Sequence, residues 1–465
     1  MTPLWGRIVS CWPVSNRPLR TEQPPRASAD EIGAQLAKLP HYVMLAAGLF
    51  ALVVTSSAQT SLQLTLADAQ KLALQNNPQV AVSRYTADAA AQVTAETASA
   101  LQPTVYGSIT GTGADSGSRI AAGLLNNPSL YNHAGSGLTV NQLITDFGRT
   151  RSLVQSSKLR AQAQEQTFQT TRAQVLLQTD RAYYNVLRAQ SVLQVAQQTV
   201  SARQLVSDQV TTLAQSKLKS QLDVSFANVN LADAKLLLAS AQNDINSAFA
   251  ELATAIGLPA QTLFTLNEEP MPGALPADVS PFIGEAIQKR PELSDLRLQQ
   301  QSAESFERAE RDLWFPTIGV TGTAGFAPFG DPQITKRYGA IGVNVNVPVF
   351  NGGLFKARRS EAELRAKAAA QSVKDLENRV MRDVRVADLN AQTAFERVGL
   401  TDQLLDQAKL ALDLAQSRFD LGLSSFIELS QAQLNLTSAQ IGVASAKYDY
   451  QNQRAMLDYQ VGVLR

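Results

Sequence analysis

Residues 150–256 run for 107 positions without a glycine or a proline, and residues 349–465 contain no proline. Glycine and proline are the residues that most readily end a helix. Both stretches are instead rich in Ala, Gln, Leu and Ser. They are too polar to lie in lipid as helices. A single helix over the first stretch would be about 160 Å long, so a turn is expected inside it. Apolar residues recur at steps of three and four: Val373, Leu376, Val380, Val384, Ala387, Ala391, Ala394, Val398, then Leu405, Ala408, Leu412, Ala415 and Phe419, with Thr401 as the one polar interruption. Ala182, Val186, Ala189, Leu193, Ala196 and Val200 repeat the pattern earlier. A spacing near 3.5 keeps one narrow seam turned to a partner over a long distance, as in a coiled coil.

The pattern resets at residues 216–223 and 421–428. Each segment carries a serine followed three residues later by an acid, Ser220/Asp223 and Ser425/Glu428, which is the signature of a capping box opening a new helix. The expectation is two helical hairpins, with incoming helices at 150–215 and 354–420, each about 100 Å long.

Short β-type runs lie between the helices. Residues 341–349 alternate strictly, with Ile341, Val343, Val345, Val347 and Val349 on one face and Gly342, Asn344, Asn346 and Pro348 on the other. That fits apolar residues turned to lipid and polar ones turned inward in a membrane barrel; sandwich strands alternate in the same way. Residues 137–144 are a weaker counterpart, and 103–113 and 316–325 complete four strand candidates. The glycine-rich run 322–330 lacks the Lys-Ser/Thr of a phosphate loop and reads as a strand end and surface loop.

Residues 42–54 are uncharged and apolar, too short to span a bilayer but suited to a secretory signal. Small residues at 56–58 place cleavage after Ala58. The segment ahead of the apolar run is long, so either the signal is extended or translation starts later. Residues 1–58 hold Cys11, His41, five of the 41 basic residues and three of the 40 acidic ones. Residues 59–465 then have 36 basic and 37 acidic residues, no cysteine and one histidine, His133. A near-neutral chain offers nothing to nucleic acid, and one histidine without cysteine argues against metal clusters and disulfides. His133 is expected in a loop between strands. No Ser-His-Asp set is present, so neither an enzyme nor a cofactor is expected.

The chain is written twice. Asn77-Pro78-Gln79 pairs with Arg290-Pro291-Glu292, and Gln102-Pro103-Thr104 with Phe315-Pro316-Thr317, both offset by 213 positions. Asp146-Phe147-Gly148 pairs with Asn351-Gly352-Gly353, Asp223-Val224-Ser225 with Glu428-Leu429-Ser430, and Asn230-Leu231 with Asn435-Leu436, all offset by 205. The expected organisation is an N-terminal extension and signal (1–58), a first repeat of helix, two strands and long hairpin (59–258), a proline-rich joint (259–291) and a second repeat (292–465).

With Asn77-Pro78, the Asp146 and Asn351 corners with Gly148 and Gly353, and the Gly422-Leu423-Ser424 tip in this duplicated order, the chain resembles the TolC-type outer-membrane efflux channels over roughly residues 64–462. The fold the resemblance implies is mainly α with membrane β: long coiled-coil hairpins forming an α-barrel, and four strands per chain given to a shared trimeric β-barrel. Four strands cannot close a barrel alone, since known ones start at about eight, and open edges do not survive in lipid. Two chains would give eight strands and three twelve; the resemblance implies three.

The implied function is an outer-membrane exit duct reaching into the periplasm, for drug efflux or type I secretion. Its partners would be a periplasmic adaptor, an inner-membrane pump and outer-membrane lipid. A periplasmic coiled-coil adaptor is the competing reading, though adaptors usually carry one hairpin between lipoyl-like β-domains. The resemblance also implies a gate at the hairpin tips. Glu428 falls on its first acidic position, Gln431 departs from acid at the second, and Asp223 is the first-repeat equivalent; both acids also read as helix caps. Leu218, Gly422, Leu423 and Ser424 fall where adaptors dock, although Lys217 stands where the first tip would have glycine. Arg149 and Arg151, then Lys356, Arg358 and Arg359, follow the two strand-to-helix corners, and Trp314 and Phe315 precede a strand. These groups read either as a membrane-interface belt or as a solvated face and ordinary helix-end packing.

Overall fold

The computed structural model describes residues 62–113, 119–122, 125–129, 133–259, 264–329 and 335–464; the expected signal, with Cys11, His41 and the cleavage point, lies outside them. Along the described chain come β1 (Leu62–Leu64), α1 (Leu66–Asn76), α2 (Pro78–Ala98), β2 (Thr104–Thr112), β3 (Arg119–Ala122), β4 (Leu125–Ser129), β5 (His133–Thr145), α3 (Arg149–Gln215) and α4 (Gln221–Ala255). The remainder comprises β6 (Phe264–Leu266), α5 (Ser280–Lys289), α6 (Pro291–Arg311), β7 (Thr317–Phe329), β8 (Arg337–Asn346), α7 (Leu354–Asp420) and α8 (Phe426–Val461). The architecture is mainly helical. None of the described helices is long and apolar enough to cross a membrane.

The uninterrupted stretches do form helices, broken where the pattern resets. Both α3 and α7 have 67 residues, and α4 and α8 have 35 and 36. Along α7 the seam is buried at Val373, Val380, Val384, Ala387, Ala391, Ala394, Val398, Ala408, Ala415 and Phe419. Thr401 turns its hydroxyl onto the carbonyls of Arg397 and Val398, and its methyl faces Gly442 of α8. A second apolar stripe, including Leu389, Leu400, Leu404, Leu410 and Leu414, stays exposed in the single chain.

Midway along α3 the main core gathers α1, α4 and a two-stranded parallel sheet of β1 and β6. Tyr183, fully buried, donates its hydroxyl toward the carbonyls of Leu64 (3.1 Å) and Asn267 (2.5 Å), pinning both segments to α3. Toward the sheet, α3 and α6 approach closely because serines meet. Ser156 and Ser302, both buried, each reach the other's backbone carbonyl at 2.9 and 2.8 Å. This satisfies polar groups that burial would otherwise leave unpaired.

Four strands make one antiparallel sheet in the order β2-β5-β7-β8, and β3 pairs with β4 separately. The register sorts the side chains by face, since directly opposed residues share one. Ile341 aligns with Gly322, Val140 and Val105, and Val343 with Val320. Ala340 aligns with Thr323, Thr139 and Tyr106 on the opposite face, where Thr321 also donates to Asn141 at 2.9 Å. One face is thus mainly aliphatic, with Gln142 beside Val320, and the other mainly hydroxyl and amide.

Three expectations change. The run 322–330 is strand as far as Phe329, where β7 ends, so more of it is strand than the loop expectation allows. Its glycine serves packing: Tyr338 lies across the polar face, and a Cβ on Gly325 would come within 2.4 Å of its ring. Val347 and Val349 lie beyond β8, which ends at Asn346 opposite Thr317. The partner strand is preceded there by Pro316, which has no N–H to extend the ladder. Ile341, Val343 and Val345 are in the strand, on its apolar face. His133 is the first residue of β5 rather than a loop residue.

Candidate functional site

The two hairpin tips are built alike. After α3, Lys217 takes a left-handed φ of +61°, and after α7, Gly422 takes +73°. Leu218 donates to the Leu213 carbonyl (2.9 Å) and Lys217 to Ala214 (3.0 Å); Leu423 donates to Arg418 (2.8 Å) and Gly422 to Phe419 (3.0 Å). This pair of bonds is the Schellman closure of a helix end. Lys217 therefore reproduces the geometry of the second tip without glycine. Leu218, Gly422 and Leu423 are exposed at the two turns; Ser424 is half-buried, its hydroxyl without a hydrogen-bond partner among the described residues.

The acids at the two returning helices differ. Asp223 completes a full capping box: Ser220 accepts from its N–H (3.2 Å), and its carboxylate accepts from the Ser220 N–H (3.0 Å) and hydroxyl (2.8 Å). These bonds hold the Asp223 carboxyl below its ordinary range. In the second hairpin only half the box forms. Ser425 accepts from the Glu428 N–H at 3.4 Å, while the Glu428 carboxylate turns to Arg418 at 3.6 Å. Gln431 donates to Asn435 along its own helix at 2.9 Å. Leu414, Arg418, Ile427, Glu428, Gln431 and Asn435 line a cavity of about 780 Å³ between α7 and α8.

Sequence reasoning did not find the contact that holds the tips together. Val206, Val210, Val224 and Ala227 of the first hairpin enclose Phe419, Phe426 and Leu429 of the second. The two phenylalanine rings meet edge to face at 6.1 Å, and the Lys219 ammonium sits 4.1 Å over the Phe419 ring. Phe419 as the last seam position was the available signal. Behind this cluster the hairpins are joined by polar bonds: Asn230 to Ser430 (2.7 Å), Arg203 to Gln433, and Thr199 with Thr437 (3.4 Å). Arg203 is buried, and burial lowers its pKa.

At the other end of the long helices stand the strand-to-helix corners. Phe147 and Gly148 have φ of +56° and +107°, and Gly352 and Gly353 of +60° and +83°, so both corners turn through two left-handed residues. Asp146 fastens the first, accepting from the Thr150 N–H (2.7 Å) and hydroxyl (2.5 Å). No group of residues that could hold a metal ion occurs among the described residues.

A sequence profile of outer membrane efflux proteins matches residues 69–258 and 282–463. The chain belongs to the outer membrane efflux protein family. Outer membrane protein TolC of Salmonella enteritidis is 24% identical over 405 residues, covering 84% of this chain and 80% of TolC. The alkaline protease secretion protein AprF of Pseudomonas aeruginosa is 24% identical over 419 residues, covering 86% and 85%. Among solved structures, the outer-membrane channel OprN superposes with a TM-score of 0.76 at 20% identity, covering 85% of this chain and 89% of OprN. VceC of Vibrio cholerae gives 0.73 at 18%, covering 85% and 96%. As a member of this family the chain is an outer-membrane exit channel for efflux or secretion, extending into the periplasm.

Proposed function

We propose that three copies of this efflux protein close a twelve-stranded barrel in the outer membrane and continue it as an α-helical tunnel through the periplasm. A periplasmic adaptor engages the tips at Leu218, Gly422, Leu423 and Ser424, and an inner-membrane pump supplies the driving force. The observation that carries this reading is the sheet: β2 and β8 are its outer strands, and neither has a second partner among the described residues. Unpaired N–H and C=O groups are prohibitive in lipid. The aliphatic face of the same sheet is exposed, Ile341 by 81%. Each copy's β8 therefore pairs with the next copy's β2. The exposed leucine stripe of α7, with Leu222, Phe226, Val229 and Leu236 of α4, supplies apolar area for the contact between copies. Two structural repeats, 59–258 and 292–465, around the joint 259–291 account for the paired helix lengths. The tips form the gate, with Glu428 as its acidic residue and Gln431 a neutral second position; Asp223 belongs to helix capping.

The test is to purify the full chain from outer-membrane fractions. A heat-modifiable trimer that conducts in a planar bilayer is expected. A monomer that stays soluble without detergent would overturn the reading.

A further inference from the structure

We propose that the collar joining the sheet to the long helices is a binding surface for anionic phospholipid headgroups of the periplasmic leaflet. The inference rests on the outer-membrane reading and adds a partner and a place to it. Each corner brings an aromatic pair and cations together. At the first, Phe147 stacks on Phe315 at 5.5 Å, with Arg149 and Arg151 in the opening turn of α3. At the second, Trp314 packs edge-on against Phe355 at 5.7 Å. Arg358 and Arg359 follow Phe355 by three and four residues, which places all three on one helix face. Phe147, Trp314 and Phe315 are about half exposed, and Phe350, just past the apolar strand β8, is 90% exposed. From the aliphatic sheet toward the helices the order is therefore apolar, aromatic, cationic. About one helical turn, 5.4 Å, separates Phe355 from its arginines. That is the order of a bilayer edge, with aromatic rings at the headgroup level and cations at the phosphates beyond.

The charge balance selects an anionic headgroup. Most carboxylates at this level are engaged or buried; Glu307 of α6 is half-buried and is balanced by the exposed Arg308 beside it. Asp146 is bonded to Thr150, Asp312 is buried beside Arg311, and Glu310 is buried. One turn further along α7, Glu361 and Glu363 pair with Arg365 and Lys367. Arg151, Lys356 and Arg358 form no ion pair among the described residues, leaving a positive ring. A zwitterionic headgroup brings its own cation and gains little there; phosphatidylglycerol brings none.

The chain has three tryptophans, Trp5, Trp12 and Trp314. Trp5 and Trp12 lie in the segment expected to be removed as a signal, so Trp314 is the single fluorescent reporter of residues 59–465, and a W5F/W12F background keeps it so wherever that segment is retained. The full chain would be reconstituted in phosphatidylcholine vesicles containing a minor fraction of phosphatidylglycerol, with bromine on the acyl chains of one lipid or the other. Bromine near the headgroup should quench Trp314 more than bromine deep in the chain. Brominated phosphatidylglycerol should quench as though enriched about threefold or more over its mole fraction. Arg358→Gln/Arg359→Gln should return quenching to the mole fraction, and R379Q/R382Q, far along α7, should not. Quenching at the mole fraction in the parent protein would overturn the headgroup preference. An unquenched Trp314 in protein that still conducts across a planar bilayer would overturn the collar and leave the duct standing. Loss of conduction and quenching together would count against both.

Discussion

Asp180 shows what a single buried carboxylate does in a helix core. It sits 4% exposed on α3 and accepts one hydrogen bond from the Gln70 amide of α1 at 2.7 Å. Burial raises its pKa from 3.8 to about 6, and nearby Asp458 adds to the rise. Asp458 is itself raised by burial, partly offset by Arg454. For a group raised in the folded state, the contribution to stability is fully present below pH 3.8 and lost as pH climbs through 6. A shift of this size corresponds to about 3 kcal/mol. Asp180→Asn keeps an acceptor for Gln70 and removes the charge. Thermal melting in detergent should show the variant more stable at pH 7.5, by up to about 3 kcal/mol, and indistinguishable from the parent near pH 4. An equal gap at both pH values would show that ionisation is not the cause.

At the scale of elements, the hairpin tips show one backbone solution reached by two sequences. Gly422 adopts its left-handed φ without steric cost, whereas Lys217 holds φ +61° against the clash of its Cβ. Lys217→Gly should therefore strengthen the first tip by roughly 0.5–1 kcal/mol. Hydrogen exchange at the Leu218 amide, bonded to the Leu213 carbonyl, is the local readout. Gly422→Ala should loosen the Leu423 amide by a similar amount. The same comparison explains the corners, where Phe147 occupies a left-handed position that its counterpart Gly352 fills with glycine. There the aromatic ring stacked on Phe315 offsets the strain.

For the whole molecule, the decisive question is how charge is arranged where tips of several copies meet. Glu428 carries the acidic charge of the proposed gate, and Arg418 stands 3.6 Å from it in the same chain, both partly exposed. The pair leaves less negative field for a passing cation than a bare carboxylate would. Glu428→Gln should lower cation preference in planar-bilayer reversal potentials, and Arg418→Gln should raise it. An exposed charge at this distance is worth roughly 1 kcal/mol, so each change should stay within about fivefold. If both variants kept the parent's preference, Glu428 would have no part in selecting ions.

The amino-acid order alone determined the features whose causes are local. Absence of glycine and proline with a 3.5-residue seam makes long helices; Ser220 and Ser425 mark where new ones begin; strict alternation at 341–346 separates an aliphatic from a polar face. Tertiary structure decided what depends on residues far apart in the chain meeting in space. Val347 and Val349 alternate as well as Val345, yet the strand stops before them, where Pro316 arriving opposite and Pro348 between them both lack a donor. Ser220 and Ser425 open similar motifs, yet only Asp223 closes its box, while the Glu428 carboxylate lies beside Arg418 across the hairpin turn. The Phe419 contact with Val206 and Val210 joins segments about two hundred residues apart, a separation no local pattern encodes.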